Sequence, residues 1–160
     1  MYKYILWDHD GVLVDTEKYY FEATRLIFQD HGVELTQAIY LDYMARGETT
    51  WNFVRETGVS DEGIRAEKDR RNEIYREFIR TGEIEVEGVL ETLEVLSRTY
   101  RMAIVTTSRR RDFQLIHEKR KITSYIEFVL DREDYEMAKP HPEPYLTALE
   151  RFGAENRPKR

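Results

Sequence analysis

At 160 residues, 41% hydrophobic and 35% charged, the chain has the length of one ordinary domain, or of a domain with a small insertion, and can bury a core. A net charge of −6 gives no electrostatic footprint for nucleic acid, since the basic runs at 108–111 and 118–121 are local; the absence of cysteine excludes disulfides and thiolate metal sites. No segment approaches the roughly 20 apolar residues of a membrane helix, and the apolar run near the start is too short for a secretory signal, so a cytoplasmic location is the expectation.

In chain order, Tyr4-Ile5-Leu6-Trp7 is a short apolar run closed by Asp8 to Gly11. That pattern predicts a strand buried on both faces with a loop at its carboxyl end. From about Thr16 to Arg80 the apolar spacing turns helical. A first helix stops near Gly32, and Thr36 caps a second that runs through Ala45. A third ends at Gly58, and Ser60 caps a long charged helix carrying Ile64, Ile74, Phe78 and Ile79. No strand signal interrupts this stretch, which is read as a helical insertion. The rhythm then alternates: a helix around Val89 to Ser97, a strand at 102–106, a helix at 111–121 and a strand at 126–130. A final helix follows, with Pro142 and Pro144 suited to its first turn. Strands alternating with helices predict a parallel sheet and an α/β fold.

In open parallel sheets, function collects at the carboxyl ends of the strands. Asp8 and Asp10 follow the first strand, Thr106-Thr107-Ser108 follow the second, and Lys139 lies in the loop after the third. With Asp15, three aspartates fall within eight positions, a crowding that calls for a cation, a proton or a reaction. An acid pair, a hydroxyl and an ammonium suit a phosphoryl group. One carboxylate attacks phosphorus, a second moves the leaving-group proton, and the hydroxyl and lysine hold oxygens. Mg²⁺ would offset the repulsion between anionic nucleophile and anionic phosphate. Gly11 lets the backbone turn sharply beside the transferred group. Taken singly, each element has an ordinary reading. The D-x-D is a solvated turn, Thr-Thr-Ser a helix N-cap, Lys139 a surface lysine and Asp15 the start of a helix. Order and spacing together carry the functional case.

These residues resemble the haloacid dehalogenase superfamily, in its phosphatase and β-phosphoglucomutase-like branch. Residues 8–17 (DHDGVLVDTE) are similar to the family's first motif, 103–108 (AIVTTS) to the second, and 138–153 (AKPHPEPYLTALERFG) to the third. The resemblance implies a Rossmann-like core at 1–15 and 83–160, with a helical cap at 16–82 that closes over substrate. It implies that Asp8 is a nucleophile forming an aspartyl-phosphate, and that Asp10 is the general acid/base, its backbone carbonyl helping Asp8 to hold Mg²⁺. Thr106 and Lys139 resemble the phosphate-binding hydroxyl and ammonium. Gly11, Thr16 and Thr107 are expected at the substrate, and Arg46, in a cap loop, falls where relatives present specificity residues. The fourth motif, an acidic pair completing the Mg²⁺ site, is expected beyond the last residue. The chain is therefore read as a member cut short at its carboxyl end, with a sheet core incomplete on that side. Asp131, Glu133 and Asp134 precede the third motif and are not read as substitutes.

The expected activity is a Mg²⁺-dependent phosphatase acting on a small phosphorylated metabolite such as a sugar phosphate or a phosphoglycolate-like compound. A β-phosphoglucomutase-like phosphotransferase shares the same residues, and an inactive remnant is the reading if the fourth motif is indispensable. A receiver-type phosphoacceptor domain also uses Asp, Thr or Ser and Lys, but an insertion directly after the first strand counts against it. Neither a partner protein nor an oligomeric state is indicated.

Overall fold

The computed structural model describes residues 3–153. The polar tail at 154–160 lies outside the described residues. Among them the chain forms three strands, β1 (Tyr4–Trp7), β2 (Arg101–Val105) and β3 (Phe128–Leu130). Seven α-helices accompany them: α1 (Glu17–Asp30), α2 (Gln37–Ala45), α3 (Trp51–Glu56), α4 (Asp61–Thr81), α5 (Val89–Ser97), α6 (Arg110–His117) and α7 (Glu143–Arg151). The strands form one parallel sheet in the order β1-β2-β3, with Tyr4 beside Arg101 and Ala103 beside Phe128. The architecture is α/β. No described helix is long and apolar enough to cross a membrane.

The chain divides into two compact units. Residues 3–15 and 83–153 belong to one, and Thr16–Gly82 to the other. In the sheet unit β2 is central, and Met102 to Val105 are all buried. Side chains alternate across a strand, so Ala103 and Val105 share one face. There they pack with Phe128, Leu130, Ala148 and Phe152. β1 is the outer strand of the described sheet, and its four residues are half-buried rather than buried on both faces as the apolar run predicted. Its apolar character still serves packing: Tyr4 stacks on Phe152 with ring centroids 4.7 Å apart.

The helical unit follows the capping signals closely. Thr36 Oγ1 accepts from Ile39 N and Ser60 Oγ from Gly63 N. Gly32 and Gly58, just past α1 and α3, have φ of 70° and 95°. These are the left-handed values at which a helix stops on glycine. Ile27, Phe28, Leu35, Tyr40, Trp51, Val54 and Ile64 make its core. In the sheet unit, α7 begins at Glu143 with Pro142 at its N-cap and Pro144 in the first turn. One strand is shorter than its sequence signal: β3 keeps only Phe128–Leu130, because the preceding residues from Ile122 to Tyr125 close a 3-10 turn.

Candidate active site

Asp8 leaves the carboxyl end of β1, Thr106 that of β2, and Lys139 sits in the loop after β3. Parallel pairing puts these three ends side by side. Lys139 Nζ reaches 2.6 Å from Asp8 Oδ1 and also donates to the Val105 carbonyl at 3.0 Å. The same Asp8 oxygen accepts from His9 N at 2.8 Å. Asp8 Oδ2 makes no hydrogen bond among the described residues, and the Asp8 side chain is 54% exposed. One carboxylate oxygen is therefore anchored and the other is open.

The loop after Asp8 is shaped by backbone bonds. His9 O accepts from Leu13 N at 2.8 Å, and Gly11 N donates to Val14 O at 2.8 Å. Gly11 makes this possible with φ of 75°, a conformation that costs a side-chain-bearing residue free energy. The buried side chains of Leu13 and Val14 anchor the loop from below. Asp10 is thereby turned toward β2, where its Oδ2 accepts from Ser108 Oγ at 2.6 Å and from Thr106 Oγ1 at 3.3 Å. His9 Nδ1 stands 3.1 Å from the same oxygen.

Thr106 is buried, its N–H donating to Leu130 O and its carbonyl accepting from Tyr135 Oη at 2.6 Å. The strand end beneath the site is thus fixed on both sides. Ser108 departs from its expected use as a helix cap. The N-cap of α6 is Arg109, without a side-chain cap, and the first helical N–H, that of Arg110, donates to Glu133 Oε2 instead. Relieved of capping, the Ser108 hydroxyl serves Asp10. Asp131 and Asp134 engage Arg110 at 2.7 Å each, which raises the Arg110 pKa above its ordinary value through hydrogen bonding to Asp131 first. They brace the second and third strand ends.

Asp8, Asp10, Thr106 and Lys139 are brought together by these contacts, with Gly11 in the same loop. Thr107 is exposed in the bend after β2 and makes none of the hydrogen bonds that join them. Thr16 and Arg46 belong to the helical unit. Thr16 is buried at the N-cap of α1, while Arg46 is exposed beyond α2 and paired with Asp42 at 2.7 Å and Glu48 at 3.4 Å. Three residues at the site go unmarked by the sequence pattern. Ser108 reads as part of a cap, His9 as the variable position of D-x-D, and His117 meets His9 from α6 at 2.8 Å. Only the presence of a histidine between the two aspartates signals a polar group there.

No group of three or more His, Cys, Asp or Glu side chains among the described residues could hold a metal ion. Mg²⁺ asks less of a protein: one or two carboxylates, with phosphate and water completing its shell. The open Oδ2 of Asp8 meets that demand. Asp10 Oδ2 faces Ser108, Thr106 and His9, and the Asp10 backbone carbonyl is the contribution to the ion that the family resemblance implies.

Comparison with known proteins supplies the family. Residues 5–158 match the model of the haloacid dehalogenase-like hydrolases. The chain is 28% identical over 154 residues to a phosphorylated carbohydrates phosphatase of Thermotoga maritima, covering 92% of this chain and 69% of that protein. It is 27% identical over 157 residues to (DL)-glycerol-3-phosphatase 2 of Arabidopsis thaliana, covering 93% and 65%. The chain thus spans about two thirds of the length of these relatives. In fold it is similar to the hydrolase YfnB of Bacillus subtilis, a structure bound to magnesium, with a TM-score of 0.64 at 20% identity, covering 94% of this chain and 74% of that one. With Asp8, Asp10, Thr106 and Lys139 gathered at the strand ends and a family model matched almost end to end, the chain belongs to the haloacid dehalogenase-like hydrolase family.

Proposed function

We propose that the chain carries the phosphoryl-transfer centre of a Mg²⁺-dependent phosphatase for a small phosphorylated metabolite, working through an aspartyl-phosphate at Asp8. The observation that carries this reading is the asymmetry of the Asp8 carboxylate. Oδ1 is held by Lys139 Nζ and His9 N, and Oδ2, on a side chain 54% exposed, makes no hydrogen bond among the described residues. A nucleophile needs one oxygen fixed and the other open. The phosphatase names of the relatives support hydrolysis over transfer to a second sugar hydroxyl, and the phosphorylated-carbohydrate and glycerol-3-phosphate substrates in those names favour a small molecule.

In the first step Asp8 Oδ2 attacks phosphorus and the bond to the leaving oxygen breaks. Asp10, which enters this step as the neutral acid, gives that oxygen its proton, so an alcohol departs and the phosphoryl group stays on Asp8. In the second step Asp10, now a carboxylate, takes a proton from water as the water oxygen attacks phosphorus, which releases phosphate and restores Asp8. Lys139 has three N–H donors, of which Asp8 and Val105 take two. The third is left for a phosphoryl oxygen. Thr106 Oγ1 holds Asp10 only at 3.3 Å, a long bond readily exchanged for another phosphoryl oxygen. Asp8 and the Asp10 carbonyl would hold Mg²⁺, which would supply positive charge against the repulsion between nucleophile and phosphate. Arg46, Thr16 and Thr107 are assigned to substrate contact on the family resemblance, and residues 16–82 to the cap.

The test is turnover of an aryl phosphate by the 160-residue chain with and without Mg²⁺. Mg²⁺-dependent phosphate release that disappears in Asp8→Asn is the expected result. Asp10→Asn is expected to slow turnover on the order of 10²–10⁴-fold, the usual scale of lost acid/base catalysis. Substantial activity in Asp8→Asn would overturn the aspartyl-phosphate.

A further inference from the structure

Behind Asp10 lies a line of buried contacts that the phosphoryl-transfer scheme leaves unused. His9 is fully buried and His117 is 8% exposed. Their rings pack at a tilt with Phe113, at centroid separations of 4.8 Å for His9 to Phe113, 4.4 Å for Phe113 to His117 and 5.0 Å for His9 to His117. His9 Nε2 and His117 Nε2 are 2.8 Å apart, so one of these nitrogens carries a hydrogen and the other accepts it.

The outer nitrogens decide the direction. His9 Nδ1 faces Asp10 Oδ2 at 3.1 Å, an oxygen that also accepts from two hydroxyls. His117 Nδ1 is buried without any hydrogen-bond partner. Were a neutral His9 to donate through Nε2, its Nδ1 lone pair would confront the carboxylate. His117 would then carry its own hydrogen on the orphaned Nδ1, a buried N–H with no acceptor, which folded proteins avoid. The opposite direction leaves only an unpaired lone pair at His117 Nδ1. It also turns an N–H of His9 onto Asp10.

We propose that His117 and His9 are positioning residues for Asp10: His117 Nε2–H donates to His9 Nε2, which holds His9 as the Nδ1–H tautomer and sets the direction of the Asp10 carboxylate. This rests on the reading of Asp10 as the acid/base group. With one oxygen held by Ser108 at 2.6 Å and by His9 at 3.1 Å, the Asp10 carboxylate is restrained in its rotation before substrate arrives, even when Thr106 turns to a phosphoryl oxygen. The histidine between the two aspartates is thus a link from the site to helix α6, where His117 sits at the last turn and Phe113 one turn earlier.

The experiment has two arms. The first is the long-range ¹H–¹⁵N histidine spectrum of the unmodified 160-residue chain at pH 8, where an ordinary imidazole is neutral. His9 is expected as Nδ1–H and His117 as Nε2–H, with assignment by comparison to His117→Gln. A His9 signal from the Nε2–H tautomer would overturn the proposal. This arm does not depend on turnover, so a chain that releases no phosphate fails the phosphatase reading while its spectrum still gives the hydrogen-bond direction. The second arm is kinetic. His117→Phe keeps the ring and loses the donor, and is expected to lower kcat about 10- to 100-fold, while KM and the affinity for inorganic phosphate stay unchanged. His117→Gln, whose amide N–H reaches the same place, is expected to recover most of the loss. Wild-type kcat in the Phe variant, or equal losses in Phe and Gln, would overturn it. Should His117→Phe not fold, the Gln variant and the spectrum decide alone.

Discussion

Lys139 Nζ lies 2.6 Å from Asp8 Oδ1, joining residues 131 positions apart at the ends of the third and first strands. The Lys139 side chain is only 15% exposed, and its ammonium donates to the carbonyl of Val105 that ends β2. It therefore pins one oxygen of Asp8, the proposed nucleophile, and keeps one N–H for the phosphoryl group that the proposed reaction transfers. Lys139→Ala removes both the anchor and a donor to the developing charge, a loss on the order of 10²–10³ in kcat by analogy with other charge-stabilising donors. Steady-state kinetics at saturating Mg²⁺ would show it. A variant that turned over at the wild-type rate would sever Lys139 from the chemistry.

Ser108 Oγ donates to Asp10 Oδ2 at 2.6 Å, closer than Thr106 at 3.3 Å or His9 at 3.1 Å, while its N–H donates to Thr106 Oγ1 at 3.0 Å. Ser108→Ala leaves that backbone bond and the helix α6 start intact, because Arg110 N is satisfied by Glu133. We expect kcat to fall about tenfold, the scale of an orienting hydrogen bond to a reacting group, with thermal stability within about 1 kcal/mol of wild type. Ser108→Thr keeps the hydroxyl and should restore the rate. Equal activity of Ala and Thr variants would show that Asp10 needs no such restraint.

Much of this arrangement is legible in the residues. Apolar runs ending in polar loops signal β1 and β2, and capping chemistry marks Thr36 and Ser60, because local patterns dictate local structure. The order Asp8, Thr106, Lys139 marks the strand ends, since a parallel sheet sends all its carboxyl ends to one edge. What cannot be read is which side chain answers which. Ser108 looks like a helix cap because nothing local reveals that Glu133, 25 positions later, takes the helix N–H. His9 looks variable because its partner His117 is 108 positions distant. The half-burial of β1 is hidden for the same reason: an apolar run reports its composition and not its place in the sheet order.

Phe152 is the keystone of one face of the sheet unit. It is 4% exposed, stacked on Tyr4 and tilted against Phe128 at 4.7 Å, with the Arg101 guanidinium 5.0 Å from its ring centroid. Arg101 Nη1 also donates to the Phe152 carbonyl at 2.9 Å. Phe152→Ala removes the ring from between β1 and β3 and is expected to cost about 3–5 kcal/mol, the range for buried aromatic truncations. Urea unfolding should register this as a lower midpoint with little change in slope. Phe152→Leu should recover more than half of the loss. A midpoint shift worth less than about 1 kcal/mol would mean that the α7 face contributes little to holding the sheet.

Burial pushes the His117 imidazole down to about 3, with the His9 ring and the Arg120 guanidinium adding to the effect and Asp10 opposing it. The unfolded imidazole takes up its proton near the ordinary 6.5. Between these values the unfolded chain binds a proton that the folded chain refuses, so acid favours unfolding. The contribution of His117 is fully present above pH 6.5 and is lost as pH falls toward about 3, at about 1.4 kcal/mol per pH unit. Carboxylates titrate over part of the same range, so the informative quantity is the difference between wild type and His117→Phe. We expect the two urea-midpoint profiles to run parallel above pH 6.5. Below it, wild type should lose stability faster than the variant, by about 2–3 kcal/mol more between pH 6.5 and 4.5. Profiles that stay parallel down to pH 4.5 would show that His117 is protonated in the folded chain, and that its ring is reached by solvent or by a counter-charge in acid.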